Sequence, residues 1–169
     1  IAMFQILGLW AGLTAIATRT DNIAVLSLSG VVLVLWMMPR HKVFEHAYSL
    51  IAVLALTLLI QERSIHTALL AGVMTGFAGV MGRNHAVYCL AASGLALLLV
   101  AFMGAAAQPG TLAIVWGIGM VIGYAPMLVL FLVVPRLLRC YVEDKVLVFF
   151  RRRGTDLALP YPWPKEYQN

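Results

Sequence analysis

The residues that could do chemistry are few, and they sit apart. His41, Glu45 and His46 form the closest set. On a helix beginning near Arg40, His41 and Glu45 share a face through their i,i+4 spacing, the separation that two metal ligands would use. His46 points elsewhere, and a transition metal wants three or four ligands. Glu45 reads instead as a carboxylate at the level of lipid headgroups. His66 and His85 fall at opposite ends of the apolar stretches, so they cannot share a site, and no pair of histidines within those stretches suits haem. Ser27, Ser29, Ser49 and Ser93 lie inside apolar stretches with no histidine or acid at their depth to activate them. Serines so placed bond to their own backbone or to a neighbouring helix. Cys89 and Cys140 are far apart and form no CxxC, which argues against both a disulfide framework and a zinc site. Cys140 is placed where an acyl chain could be attached, but an unmodified thiol is the simpler expectation. The spacing therefore predicts no catalytic residue, no cofactor and no metal.

The elements that would have to position these residues are apolar. Of 169 residues, 62% are hydrophobic and 11% charged, less than half the roughly 25% charge of a soluble domain. A water-soluble fold of this length has too little polar surface to cover such a composition. Apolar stretches of membrane-crossing length recur with terse interruptions, at 1–18, 23–38, 43–60, 64–81, 86–107 and 112–134. The breaks, at 19–22, 39–42, 61–63, 82–85 and 108–111, hold polar residues, Gly or Pro, which turn a chain between antiparallel helices. The fold class expected is all-α, a polytopic bundle of about six transmembrane helices over 1–134 with a short tail over 135–169. The stretch 23–38 is the shortest, about 24 Å long at 1.5 Å per residue, and needs snorkelling flanks such as Arg40 and Lys42 to span. The chain opens on Ile1 rather than methionine, so a longer parent is one expectation. The first stretch lacks a basic leader and reads as a retained span.

Charge sets the orientation. Seven of the twelve Lys and Arg residues lie in the tail. With six spans both termini share a side, and Arg40, Lys42 and Arg83 join the tail there, leaving only Arg19 and Arg63 opposite. The positive-inside rule then puts both termini in the cytoplasm, in an inner (plasma) membrane of bacterial type. No recognition motif accompanies the charges, so nucleic acid is not an expected partner.

Inside the spans the positive signal is small residues. Gly8/Gly12, Gly72/Gly76 and Gly119/Gly123 each have GxxxG spacing, which stacks glycines on one face and lets another backbone approach closely. In the sixth span Pro126 removes a backbone donor and crowds the carbonyl of Ile122, predicting a kink. In the tail, the apolar run 146–150, ending Phe149 and Phe150, meets Arg151, Arg152 and Arg153. Pro160, Pro162, Trp163 and Pro164 follow in a segment expected to be extended. Such a tail suits docking on an anionic membrane surface or a protein partner.

No Asp, Glu, Lys or Arg falls mid-span, whereas ion-coupled carriers and proton relays usually need one there. The loops on the side away from the tail are too short for a receptor domain. The expectation is a non-catalytic membrane subunit, with the lipid bilayer and other membrane subunits or copies of itself as partners. The alternative is a small transporter or channel-forming subunit whose kinked sixth helix lines the path.

Overall fold

The computed structural model describes residues 2–37, 43–104 and 109–142. Among them are seven α-helices and no strand: α1 Ala2–Ala17, α2 Ile23–Met37, α3 Val43–Glu62, α4 Ile65–Met81, α5 Arg83–Phe102, α6 Pro109–Val133 and α7 Pro135–Tyr141. Two of these, over His85–Phe102 and Pro109–Val133, are long and apolar enough to cross a membrane. The other apolar stretches, over Met3–Ala17, Ile23–Met37, His46–Glu62 and Ile65–Met81, are shorter.

Local chemistry explains where each helix starts and stops. Asn22 caps α2, its Oδ1 accepting from Ala24 N at 2.9 Å and Val25 N at 3.3 Å. Ser64 caps α4 in a reciprocal box. Its Oγ accepts from Thr67 N, and Thr67 Oγ1 accepts from Ser64 N, both at 3.2 Å. Gly82 alone separates α4 from α5, donating its N–H to the Ala78 carbonyl at one end and accepting from Ala86 N at the other. Met103 and Gly104 end α5; Gly104 has φ +63°, the left-handed conformation that closes helices and suits glycine. The fifth helix therefore stops at Phe102 rather than running to 107. Pro109 and Pro135 each open a helix, at the position where a missing N–H costs nothing.

The chain separates into two compact units, 1–126 and 127–169, the second described over 127–142. The boundary falls inside α6, after Pro126. In the first unit α3 is central and packs on α1, α2, α4 and α5, with α4 also packed along α5. In the second, the Phe131 and Tyr141 rings meet at 5.3 Å between centroids.

Alanine is the commonest residue in the interior of the first unit. Ala11, Ala15, Ala47, Ala52, Ala55, Ala68, Ala71, Ala78 and Ala96 are buried, together with Met37, Tyr48, Leu50, Leu54, Leu59, Val100 and Leu112. Large apolar residues lie outside on every long helix, among them Ile6, Trp10, Leu28, Tyr88, Phe102 and Ile114. Helix α2 is the extreme case: it is apolar all round, and Met37 is its buried residue.

Candidate functional site

Two features of the first unit bring helices together through chemistry rather than bulk. One is a glycine seam between α4 and α6. A Cβ added at Gly72 would fall on the Trp116 carbonyl, and one at Gly76 on the Met120 carbonyl. From the other side, a Cβ at Gly119 would fall on the Leu69 carbonyl and one at Gly123 on the Val73 carbonyl. Both helices thus present glycine to the other's backbone, the closest approach two helices can make. A Cβ added at Gly79, one turn further along α4, would lie 3.0 Å from Cδ2 and Cε2 of Tyr124. Gly8 and Gly12 on α1 face α3 and α2: a Cβ at Gly8 would lie 2.6 Å from Ala47 Cα, and one at Gly12 would lie 2.9 Å from Leu33 Cδ1. All six glycines with GxxxG spacing therefore sit at helix crossings within the chain.

The other feature is a buried hydroxyl pair. Thr75 on α4 and Ser93 on α5 approach to 2.6 Å between oxygens, and Ser93 is completely enclosed. Thr75 donates its one proton to the Ala71 carbonyl at 2.8 Å, so Ser93 must be the donor between the two hydroxyls. Neither group is activated for attack, because the Ser93 proton goes to another hydroxyl and not to a base. The pair acts as a clasp between α4 and α5. A double-mutant cycle of Thr75→Val and Ser93→Ala should return a coupling energy of about 0.5–1.5 kcal/mol, the net worth of one intramolecular hydrogen bond. A coupling of zero would mean that each hydroxyl finds an equal partner when the other is removed.

The remaining candidates are dispersed. His46 is half-buried and stacks on Trp36 at 4.4 Å between centroids. Its Nδ1 is buried without a hydrogen bond among the described residues. The side chains of His41 and Glu45 fall outside the described part, as does that of Cys140. Among the described residues no three His, Cys, Asp or Glu side chains gather as they would around a metal ion. Cys89 packs with Met74 and Phe77 against a cluster of Tyr48, Ala52 and Ala78. The Tyr48 hydroxyl is buried there beside the Ala78 backbone, without a well-formed hydrogen bond. His66 lies in the first turn of α4 and His85 in the first turn of α5, at opposite ends of an antiparallel pair. Ser27 is exposed and Ser29 half-exposed on α2.

Pro126 sits within a continuous α6. Both Pro126 and Ile122, whose carbonyl it deprives of a donor, are exposed. Phe149, Phe150, Arg151, Arg152, Arg153, Pro160, Pro162, Trp163 and Pro164 all lie outside the described residues.

One end of the bundle is tied by polar contacts that sequence reading did not identify. Gln61 Nε2 donates to the Thr18 carbonyl at 3.5 Å, and Arg63 Nη2 reaches Met103 Sδ at 3.7 Å. These join the end of α1, the α3–α4 turn and the end of α5. Arg63 itself has φ +50° and donates through Nε to the Ile60 carbonyl at 3.3 Å, so its side chain helps to hold the turn that its backbone makes. The chain matches no protein-family model, and comparison with curated proteins and with solved structures finds no similar chain.

Proposed function

We propose that the protein is a multi-pass integral membrane protein that serves as a non-catalytic subunit of a larger membrane assembly, with its basic tail docking on the membrane surface or on a partner. The observations that support the membrane half of this reading are the two helices long and apolar enough to cross a bilayer and the many large apolar side chains exposed on every long helix, around an interior rich in alanine and glycine. Lipid tails are as apolar as leucine, so close backbone packing, not burial of bulk, is what stabilises helices against one another there. The non-catalytic half draws on the interior polar groups. Thr75 and Ser93 are occupied with each other and with the backbone, and no charged residue is buried among the described residues. Purification in mild detergent tests the subunit reading: stoichiometric co-purifying membrane proteins are expected, and a lone active protein would overturn it.

The tail carries its own test. Changing Arg151, Arg152 and Arg153 together to Gln should leave insertion intact, because the apolar helices drive that step. It should reduce recovery of the assembly several-fold, with each charge near an anionic surface contributing about 1 kcal/mol. In the parent the same association should weaken at high salt. Equal recovery of the assembly from both proteins would make the tail a passive extension.

A second reading, a small transporter or channel-forming subunit, rests on Pro126. The exposure of Pro126 and Ile122 means that a path using the freed carbonyl would have to be completed by another chain. Substrate uptake by liposomes holding only this protein separates the two readings.

A further inference from the structure

A thioether sulfur is a weak hydrogen-bond acceptor, and an exposed methionine has little to fix its side chain. Met103 is fixed. It caps the end of α5 in the open, and Arg63 Nη2 donates to its Sδ at 3.7 Å. Both partners are held from behind. Met103 N donates to the Leu99 carbonyl at 2.9 Å, and Arg63 N donates to the Leu59 carbonyl at 3.1 Å. Arg63 also anchors its side chain through Nε on the Ile60 carbonyl, from a backbone at φ +50°. The turn thus aims the guanidinium, and the sulfur meets it. Met3 and Met81 are comparably exposed, at 65% and 45% against 52% for Met103. Among the described residues, however, no other methionine sulfur receives a side-chain donor.

We infer that Met103 is a site of reversible oxidation, which takes one oxygen atom from a hydroperoxide on the lone pair that Arg63 leaves open, and that Arg63 then holds the sulfoxide. The open lone pair of Sδ attacks the terminal oxygen of the hydroperoxide. An S–O bond forms, and the O–O bond breaks with its electron pair on the departing hydroxide or alkoxide. The proton of the transferred hydroxyl follows, so water or an alcohol leaves. Sulfur is oxidised by two electrons, the peroxide is reduced by two, and the product is methionine sulfoxide, which is chiral at sulfur. With one lone pair engaged by Arg63, attack through the other gives mainly one epimer. The polar S–O group accepts far better than the thioether it replaces, and a guanidinium offers five donors. Oxidation therefore turns a weak contact into a charge-assisted hydrogen bond between the α3–α4 turn and the end of α5. The same change at buried Met37 would disrupt packing instead. None of this depends on the membrane reading, because Met103 stands at an exposed helix end.

The test uses the full chain in mild detergent, with Met3→Leu, Met38→Leu and Met81→Leu, so that the other methionines are Met37, which is buried, and Met74, Met120 and Met127, which are half-buried. It is treated with limiting hydrogen peroxide, and the oxidised residue is located by peptide mass spectrometry. The digest is then divided between two sulfoxide reductases, one specific for each epimer. The comparison is Arg63→Asn, which removes the guanidinium and tolerates the positive φ of the turn. In the parent, oxygen is expected on Met103 first, with one epimer in about five-fold excess, the bias that one hydrogen bond can set. In Arg63→Asn the two epimers should be near equal. Oxidation should raise the thermal midpoint of the parent by about 2–4 °C, the shift that one new hydrogen bond gives a chain of this size, and should not raise that of Arg63→Asn. Oxygen on Met74, Met120 or Met127 while Met103 stays a thioether would overturn the site. Equal epimers in the parent, or the same excess in both chains, would overturn the part given to Arg63 in directing attack. A parent midpoint that stays or falls on oxidation would overturn its hold on the sulfoxide.

Discussion

Gly76→Ala and Gly123→Ala should each lower the thermal midpoint of the detergent-solubilised protein by about 5–10 °C, whereas Gly117→Ala should leave it unchanged or raise it slightly. The sign reversal follows from what each new methyl group would meet. At Gly76 the nearest atoms are the Met120 carbonyl and Tyr124 N, and at Gly123 they are the Val73 carbonyl and Phe77 N. These are backbone atoms, which cannot rotate away, so α4 and α6 must separate along their whole crossing. Overpacking of this kind costs about 1–3 kcal/mol, and a chain of this size loses about 2–4 °C per kcal/mol. Gly117 lies on the same helix with nothing within 4 Å of an added Cβ, so alanine there gains about 0.5–1 kcal/mol of helix propensity and meets no neighbour. Gly79→Ala should fall between, because the atoms it meets belong to the Tyr124 ring, which can shift. Gly104 would be a poor control, since its φ of +63° penalises any side chain whatever the space. Circular dichroism melts of the four variants beside the parent decide the matter. Equal midpoints for Gly76→Ala and Gly117→Ala would mean that α4 and α6 do not cross on their glycines.

The helices themselves were legible because their interruptions are chemically distinct from what they interrupt. Asn22 and Ser64 are capping residues, and Gly82 is the one residue between two long apolar runs. The ends were legible only where such a residue stood. Residues 103–107 remain apolar, so hydropathy alone carries the fifth helix through them, whereas the backbone turns at Gly104. Pro109 was read as part of a break because proline stops a helix that reaches it. It serves equally well as the first residue of the next, which is how α6 and α7 both begin. That second use of Pro135 hid α7 at the start of what reads as the tail.

The packing was legible in kind and not in detail. GxxxG spacing marks a face that another backbone can approach, and all six of these glycines lie at crossings. Nothing in the spacing says that Gly72 and Gly76 face Gly119 and Gly123, because the choice of neighbour is made by the whole bundle. The Thr75–Ser93 bond joins residues 18 apart across two helices, and no periodicity along either one signals it. A partial clue was available: Thr75 falls four residues after Ala71 and three before Ala78, on a run of small residues suited to a crossing.

Cysteine labelling should place Asn22 on the opposite side of the membrane from Arg83. The experiment uses single cysteines at Asn22, Arg83 and Gln108 in a chain with Cys89 and Cys140 replaced by Ser, probed with a membrane-impermeant maleimide before and after permeabilisation. With six crossings, Asn22 and Gln108 react in intact cells and Arg83 reacts only once the membrane is opened. The expectation draws on ten basic residues on one side against two on the other. A two-crossing arrangement, in which only the helices over His85–Phe102 and Pro109–Val133 span, makes a different prediction. It leaves α1 to α4 on the side of Arg83, so Asn22 and Arg83 would behave alike. Physical chemistry favours the first pattern through α2, whose Ile23, Leu28, Val31, Val32, Leu35 and Trp36 are all exposed on different sides of the helix. A helix apolar all round has no polar face to turn toward water or headgroups, and transferring that much apolar surface into water costs about 25 cal/mol for each Å². At about 22 Å for 15 residues, α2 falls short of a ~30 Å bilayer core, a mismatch that local thinning relieves at fractions of a kcal/mol per Å. The cost of mismatch is therefore smaller than the cost of exposure, and α2 should cross. Co-labelling of Asn22 and Arg83 from the same side would reverse that judgement and leave α5 and α6 as the spans.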